Sequence, residues 1–159
     1  MTDLQAAIGS VQLKRLPEML RRRRELVARY QKLLRKVEGI GLPQEPPWAR
    51  SNWQSYCVRL PEGCDQERVM QVLLDAGIAT RRGVMCAHRE PAYKTEPWAC
   101  SASGSQHRCA SSTCEKLKES QTAQDRSVIL PLFYDMTQDE QDRVVDAFSE
   151  ACASPAAKR

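Results

Sequence analysis

The stretch WQSYCVRLPEGCDQERVMQVLLDAGIATRRGVMCAH, residues 53–88, decides the fold because it contains three elements in succession. Its first eight residues, WQSYCVRL, combine aromatic and β-branched side chains, which favours a strand. A helix is predicted next, with Asp65 as its N-cap and Gly77 as its end. The last ten residues, ATRRGVMCAH, predict a strand with a basic start that leads into a loop. The stretch therefore predicts strand, helix, strand.

Two further elements are predicted near the C-terminal end of the sequence. The segment SVILPLF predicts a short buried strand that ends at Pro131. Thr137 and Glu140 have the spacing of a capping box, and apolar residues recur at helical spacing after them. We expect the helix that begins at Thr137 to lie against the sheet.

The residues before the central stretch predict two long helices. Thr2 and Gln5 have the spacing of a capping box, and the apolar residues that follow fall on one face. Pro17 predicts a break or kink near Leu16, because proline disfavours helical geometry in the residue before it. A second, amphipathic helix is predicted over residues 18–37.

Composition narrows the class of protein. The chain has 159 residues, 42% of them apolar, and a net charge of +4. No run reaches the roughly 20 apolar residues that span a bilayer, so no membrane partner is expected. The arginine run Arg21–Arg24 is interpreted as a solvated helix face, because neither stacking aromatic residues nor a nucleic-acid-reading module accompanies it. No nucleic-acid partner is expected.

Seven cysteines without a secretory signal favour a reducing compartment, so a cytoplasmic location with mostly free thiols is predicted. Cys57 and Cys152 lie in apolar patterns and are interpreted as small core residues. Residues 95–121 are rich in Ser, Cys and Thr and predict an inserted, mobile loop. The last residues, 153–159, are expected to fray.

The inserted loop contains thiol and imidazole groups, which are the ligands that zinc prefers. These candidate ligands are Cys100, His107, Cys109 and Cys114. Their spacing, C-x6-H-x-C-x4-C, lacks the C-x2-C pairs that hold one ion from a tight turn. Thiols that stay free or pair with one another are therefore the favoured interpretation, and a metal site is the alternative.

A second candidate site surrounds His88, at the junction between a predicted strand and a loop, where α/β folds place ligand contacts. The polar neighbours of this histidine in the sequence are Arg81, Arg82, Arg89 and Tyr93. Arginine binds phosphate and carboxylate in bidentate geometry, so an anionic ligand is predicted. A hydrogen-bonded structural histidine is the alternative. The sequence contains no phosphate-binding glycine loop, no G-x-S-x-G and no H-E-x-x-H, and thus no complete reaction centre of these kinds.

Three segments occur in an order that is specific to one enzyme family. They are MTDLQAAIGSVQLKRLPEMLRRRRELVARYQKLL (residues 1–34), DAGIATRRGVMCAHREPAY (75–93) and ESQTAQDRSVILPLFYDMTQDEQDRVVDAF (119–148). Together they resemble the DegT/DnrJ/StrS family of pyridoxal-phosphate-dependent sugar aminotransferases. Residues 95–114 have no general counterpart in that family.

The predicted fold is α/β, an α+β small domain in which long N-terminal helices precede a short, mostly antiparallel sheet with helices on one face. The resemblance implies that this is like the C-terminal domain of fold-type I aminotransferases. The domain is expected to span residues 1–152, with residues 1–38 as a helical connector.

The resemblance also implies an activity, the transfer of an amino group from glutamate or glutamine to a keto nucleotide-sugar by a homodimer. Pyridoxal phosphate would serve the complete enzyme, but the family's Schiff-base lysine precedes the resembling segments, so no cofactor is expected on this chain alone and the chain is expected to be inactive alone. His88 would match the family histidine near the substrate, with Tyr93 beside it, and Arg81 or Arg82 would face the nucleotide phosphates. The alternative is a stand-alone interaction module whose Cys/His loop binds a metal or a partner.

Overall fold

The computed structural model describes residues 1–95, 98–100, 107–109 and 114–153. The helices are α1 (Asp3–Leu34), α2 (Gln66–Asp75), α3 (Pro91–Thr95), α4 (Lys118–Arg126) and α5 (Gln138–Ala153). The strands are β1 (Tyr56–Arg59), β2 (Arg81–Arg82), β3 (Trp98–Cys100), β4 (His107–Cys109) and β5 (Ser127–Leu130). Single turns of 3-10 helix span Ala87–Arg89 and Glu115–Leu117. Among the residues described, no helix is both long enough and apolar enough to cross a membrane.

The main sheet has the strand order β1-β5-β2, and both pairings are antiparallel, as predicted. Tyr56 lies opposite Leu130 and Val58 lies opposite Val128, so these four side chains share one face. All four are buried, which makes this face the core face of the sheet. β2 is much shorter than the strand predicted from ATRRGVMCAH, because the ladder ends soon after Gly83, whose N–H donates to the Ser127 carbonyl at 3.0 Å.

Helices α2 and α5 cover the core face, as predicted, and α1 packs on it as well. The core residues that these three helices contribute are Leu26, Val27, Tyr30, Leu34, Val69, Leu73, Val144, Val145, Phe148, Ala151 and Cys152. Tyr30 stacks on Tyr56 of β1, with ring centroids 5.1 Å apart. The helix that follows Thr137 therefore packs in the same core as the sheet, as its apolar spacing predicted.

The prediction of two separate N-terminal helices is wrong, because α1 runs as one helix through Pro17. A proline inside a helix removes the N–H that would bond to the carbonyl four residues earlier, here Leu13. This turn of α1 is exposed, so water can bond to the carbonyl that the proline leaves without a partner. The helix ends at Leu34, slightly before the predicted end at Val37.

The capping residues predicted at the starts of α1, α2 and α5 are confirmed. Thr2 and Gln5 form a complete capping box at the start of α1. The Asp65 side chain caps α2 by accepting from the Arg68 N–H at 3.1 Å. At α5, the Glu140 N–H donates to the Thr137 hydroxyl at 3.2 Å and the Glu140 carboxylate accepts from the Thr137 N–H at 2.8 Å.

Three predictions outside the core need correction or lie beyond the described residues. The stretch predicted as a loop, residues 95–121, contains the antiparallel pair β3–β4, the 3-10 turn Glu115–Leu117 and the first turn of α4. Cys152 is a core residue, but Cys57 is only half-buried, on the sheet face away from the core. The predicted tail is outside the described residues except for Ala153, which is the last residue of α5.

Candidate functional site

The chain turns away from the sheet directly after β2, at a glycine. A Cβ atom on Gly83 would lie 2.3 Å from the Cys57 Sγ and 2.5 Å from the Ser127 Oγ, so a larger residue cannot fit without displacing β1 or β5. This close approach lets the next residues leave the sheet and run along α4. We call residues 83–95 the histidine segment.

Polar groups of α4 hold the histidine segment in place. The Cys86 N–H donates to the Gln124 Oε1 at 2.9 Å, and the Cys86 thiol donates to the Ser120 carbonyl at 3.1 Å. Arg89 forms a bidentate ion pair with Asp125, with N···O distances of 2.5 and 3.1 Å. The hydrogen bond to Asp125 raises the pKa of Arg89 above its ordinary value. The segment is therefore fixed by directional bonds rather than by an apolar face.

His88 is held inside this polar layer. Only 8% of its surface is exposed. Its Nε2 lies 3.2 Å from the Nε2 of Gln121, and the same amide nitrogen donates to the Cys114 carbonyl at 3.0 Å. The predicted site histidine is thus buried against α4 with a defined ring orientation.

Gln66 connects α4 to the apolar core. Its Nε2 donates to the Gln124 carbonyl at 2.8 Å and to the Ser127 carbonyl at 2.7 Å. These two carbonyls lie at the point where α4 passes directly into β5. Because Gln66 is the first residue of α2, its side chain joins α2, α4 and β5 at one point.

The two candidate arginines of β2 have different surroundings. Arg82 lies opposite Val128, on the core side of the sheet edge, where it forms an ion pair of 2.5 Å with Glu67 of α2. Arg81 lies opposite Ile129, on the other side of the sheet, and lines an open pocket together with Ile129. Among the described residues, no carboxylate forms an ion pair with Arg81. Arg82 is therefore directed toward α2, whereas Arg81 faces an open pocket.

Tyr93, the remaining candidate, lies on α3 and is 46% exposed. Its backbone N–H donates to the Glu90 carbonyl at 2.9 Å, which links α3 to the end of the turn that carries His88. The structure therefore places Tyr93 near the end of the histidine segment, on its solvent side.

Arginines of α1 serve in part as structural ion-pair partners. Arg24 is bidentate to Glu45, with both distances 2.9 Å, and this hydrogen bond holds the pKa of Glu45 below its ordinary value. Arg29 pairs with Asp142 of α5 at 2.7 Å. The interpretation of the basic run as a solvated face is therefore incomplete, because these side chains tie α1 to other parts of the fold.

The metal hypothesis for the inserted loop stays a prediction. Of its four candidate ligands, only the Cys114 side chain belongs to the described part, where it is buried. The side chains of Cys100, His107 and Cys109 lie outside it, although their backbone forms β3 and β4. The part of the chain that the structure describes holds no group of three His, Cys, Asp or Glu side chains placed for a metal ion.

Comparison with known proteins explains this arrangement of helices, sheet and histidine segment. The model of the DegT/DnrJ/EryC1/StrS aminotransferase family matches residues 1–149. The chain belongs to this family. A dTDP-4-dehydro-2,3,6-trideoxy-D-glucose 4-aminotransferase from Saccharopolyspora spinosa is 35% identical over 151 residues, which are 94% of this chain and 34% of that protein.

Solved structures of aminotransferases share the fold. The aminotransferase TlmJ from Streptoalloteichus hindustanus matches 99% of this chain and 38% of its own, with a TM-score of 0.77 and 28% identity. Spr1654 from Streptococcus pneumoniae, described as a sugar aminotransferase and solved in its PLP-form, matches 96% of this chain and 36% of its own, with a TM-score of 0.73 and 25% identity. The chain thus spans about a third of the length of these relatives.

The lysines of the described part do not fit a Schiff base with pyridoxal phosphate. Such a lysine needs a lowered pKa, which comes from a desolvated pocket or a neighbouring cation. The lysine side chains that the structure describes are all exposed: Lys14, Lys32, Lys36, Lys116 and Lys118. In the part of the chain that the structure describes, none of these five side chains lies in a desolvated pocket.

The sequence of α4 favours a helix, although the Ser-, Cys- and Thr-rich composition of residues 95–121 predicted a loop for its first turn. The nine residues KESQTAQDR contain no glycine or proline and consist largely of good helix formers. That propensity favours a helix even though no apolar stripe is present. Gln121, Gln124 and Asp125 become site residues only because this helix brings their side chains to the histidine segment.

Proposed function

We propose that this chain is the C-terminal domain of a cytoplasmic, pyridoxal-phosphate-dependent aminotransferase that transfers an amino group from glutamate or glutamine to a keto nucleotide-sugar. The observation that carries the proposal is the family match over residues 1–149 together with the sugar aminotransferases among its relatives. The lysine that binds the cofactor would belong to a part of the enzyme that these residues do not include. The exposed lysines described above are consistent with that division.

Within this enzyme, the histidine segment would contribute to the substrate site. His88 would contact the sugar, and Arg81 would bind the nucleotide phosphates. Arg81 is the better candidate of the two arginines, because Arg82 is already paired with Glu67 while Arg81 faces an open pocket. Bidentate hydrogen bonds from a guanidinium suit a diphosphate oxygen pair. Tyr93 would lie at the rim of the site.

We further propose that the first half of α1 is covered in the complete, homodimeric enzyme. Leu4, Ile8 and Val11 follow one another at helical spacing and are 72%, 56% and 58% exposed. A row of apolar side chains in contact with water is typical of a surface that another part of an assembly covers. The sequence outside this chain or a second subunit would supply that cover.

The first experiment tests where the cofactor lysine lies. The purified chain is incubated with pyridoxal phosphate, examined for the visible band of lysine-bound cofactor, reduced with borohydride and mapped by peptide mass. We expect no stoichiometric adduct at a single site. A stoichiometric adduct on one lysine, Lys94 for example, would mean that this chain carries its own cofactor site and would contradict the proposed division.

The second experiment tests the substrate residues with the dTDP-sugar class that a relative's name suggests. Binding of dTDP-glucose to the complete enzyme is measured for Arg81→Ala and, as a matched control, Arg82→Ala. Loss of one charge-assisted bidentate contact, about 1.5 to 3 kcal/mol, should weaken binding at least tenfold for Arg81→Ala. Equal affinities of the two variants would refute the role of Arg81.

A further inference from the structure

We propose that Gln121 is a positioning residue that holds the His88 imidazole with its proton on Nδ1 and with Nε2 as a hydrogen-bond acceptor. The inference about the tautomer rests on the geometry of α4 and the histidine segment alone. Its consequence for catalysis rests on the proposed function.

The Cys114 carbonyl fixes the orientation of the Gln121 amide. A carbonyl oxygen can only accept, so the amide group that lies 3.0 Å from it must present its nitrogen rather than its oxygen. That same nitrogen lies 3.2 Å from the His88 Nε2. Its two hydrogens can therefore serve the two acceptors, one on Cys114 and one on His88.

The imidazole must then accept at Nε2. A proton on Nε2 would point at the amide hydrogen of Gln121, and two donors would face each other inside a layer where His88 is only 8% exposed. Turning the amide over would relieve that conflict but would place the amide oxygen against the Cys114 carbonyl. The arrangement that satisfies all three groups has the histidine proton on Nδ1.

The donor is itself held in place. Gln121 lies on α4, which is tied to the histidine segment on either side of His88 by the bonds of Gln124 to Cys86 and of Asp125 to Arg89. Moving the Gln121 amide away from the ring requires a rotamer change in a half-buried side chain or displacement of α4. The tautomer is therefore set by the fold.

This assignment defines the character of the two ring nitrogens of His88. A protonated Nδ1 can only donate a hydrogen bond, so its partner must be an acceptor, whether a group of the protein or an oxygen of a substrate. Nε2 is occupied by the Gln121 amide. In the proposed aminotransferase, His88 would thus act in the substrate site as a donor rather than as a base.

Long-range proton–nitrogen NMR spectra of the 159-residue chain test the tautomer directly. The chain has two histidines, so the spectrum of His107→Gln assigns the signals of His88. The Nε2 nucleus is recognised because it couples strongly to both carbon-bound ring protons. We expect a pyridine-like shift at Nε2 and a pyrrole-like shift at Nδ1. The reverse pattern in the wild-type chain would overturn the proposal without any further variant.

Gln121 variants test what sets the tautomer. Gln121→Glu replaces the donor with an acceptor, so the histidine proton should move to Nε2 or both nitrogens should become protonated. Gln71→Glu is the matched control, because it makes the same chemical change on an exposed side chain of α2 that bonds to Asp75 and not to the ring. It should leave the wild-type pattern unchanged.

An unchanged His88 pattern in folded Gln121→Glu would show that other contacts set the tautomer, and the proposal would be wrong. The same conclusion follows if Gln71→Glu shifts the pattern as much as Gln121→Glu does. Neither result depends on sugar binding. Failure of this proposal is therefore distinguishable from failure of the proposed function, which the dTDP-glucose measurements test.

Discussion

In the sequence, helix α4 precedes strand β5 and helix α5 follows it. Different interactions attach the two helices to the rest of the protein. α5 buries six residues, including Val144, Val145 and Phe148, in the core. α4 buries none, and its side chains reach the rest of the protein through hydrogen bonds and one ion pair. We call the core with α1, α2, α5 and the main sheet the apolar half, and α4 with the histidine segment the polar half.

This difference shows that one set of interactions stabilises the fold and another fixes the geometry of the candidate site. Apolar burial is non-directional, and it stabilises a fold in proportion to the area removed from water. Hydrogen bonds contribute less each but fix the orientation of side chains such as His88. Gln66 is the link between the halves, since it starts α2 and bonds to the carbonyls where α4 meets β5.

The largest effect is expected in the apolar half, for Phe148→Ala. Phe148 is fully buried, so the substitution removes a whole ring from the core and leaves a cavity. We expect the free energy of unfolding to fall by about 3 to 5 kcal/mol, measured by urea denaturation. A loss below about 1 kcal/mol would mean that the core adjusts around the missing ring and would contradict the assignment of stability to this half.

A pH effect should also arise in the apolar half, at Cys152. Burial raises the pKa of this thiol to about 12 from an ordinary value of 9.0, and the neighbouring Cys64 adds to the shift. Because the folded state favours the neutral thiol, the stabilisation is complete below about pH 9 and is lost as pH rises toward about 12. One such group contributes a slope of at most about 1.4 kcal/mol per pH unit over that window.

The measurement compares urea unfolding of the wild-type chain and Cys152→Ala at several alkaline pH values. The variant should lose less stability per pH unit. Tyr30 and Tyr56, whose pKa values burial also raises, contribute a slope of the same sign to both proteins. Identical slopes would show that the Cys152 thiol does not titrate differently in the folded and unfolded chains.

At the boundary between the halves, Gly83→Ala should destabilise the chain by about 1 to 3 kcal/mol. The added Cβ would overlap the Cys57 Sγ and the Ser127 Oγ, and it would lie 2.8 Å from the Ser127 Cβ, which cannot move without the backbone of β5. Gly9→Ala is the matched control, because nothing lies within 4 Å of its added Cβ and it sits in α1. In this control, the free energy of unfolding should rise by about 0.5 to 1 kcal/mol, since alanine favours the helix. Thermal unfolding that gives both variants the same sign of change would refute the crowding at Gly83.

The structures of the two halves could also be predicted from the sequence to different extents. Asp65 and Thr137 were recognised as caps, and Tyr56, Val58 and the apolar residues of α5 followed the expected patterns, because burial leaves a local period in the sequence. Pro17 misled the prediction, since a proline in an exposed turn costs one hydrogen bond but does not end a helix whose next turns are anchored in the core.

The polar half could be predicted only in outline. The sequence predicts His88 at the junction of a strand and a loop, but β2 ends at Arg82 and His88 lies in the 3-10 turn Ala87–Arg89, where it is buried. Its partner Gln121 is 33 residues away in sequence, and the pairing of Arg82 with Glu67 likewise depends on how α2 packs. No local pattern encodes such contacts, because they form only after the apolar half has fixed the positions of the chain.

The smallest effect, and the sharpest test of the comparison, is expected for Gln124→Leu. The leucine fills the same space but leaves the Cys86 N–H without its acceptor, at a cost of about 1 kcal/mol. The Gln124 backbone carbonyl still accepts from Gln66, so the link to α2 remains. Amide hydrogen exchange should therefore accelerate in the histidine segment and α4 while β5 and α5 keep their protection. Uniform acceleration across all four elements would mean that the polar half does not open separately, and that orientation of His88 and stability of the core depend on the same contacts.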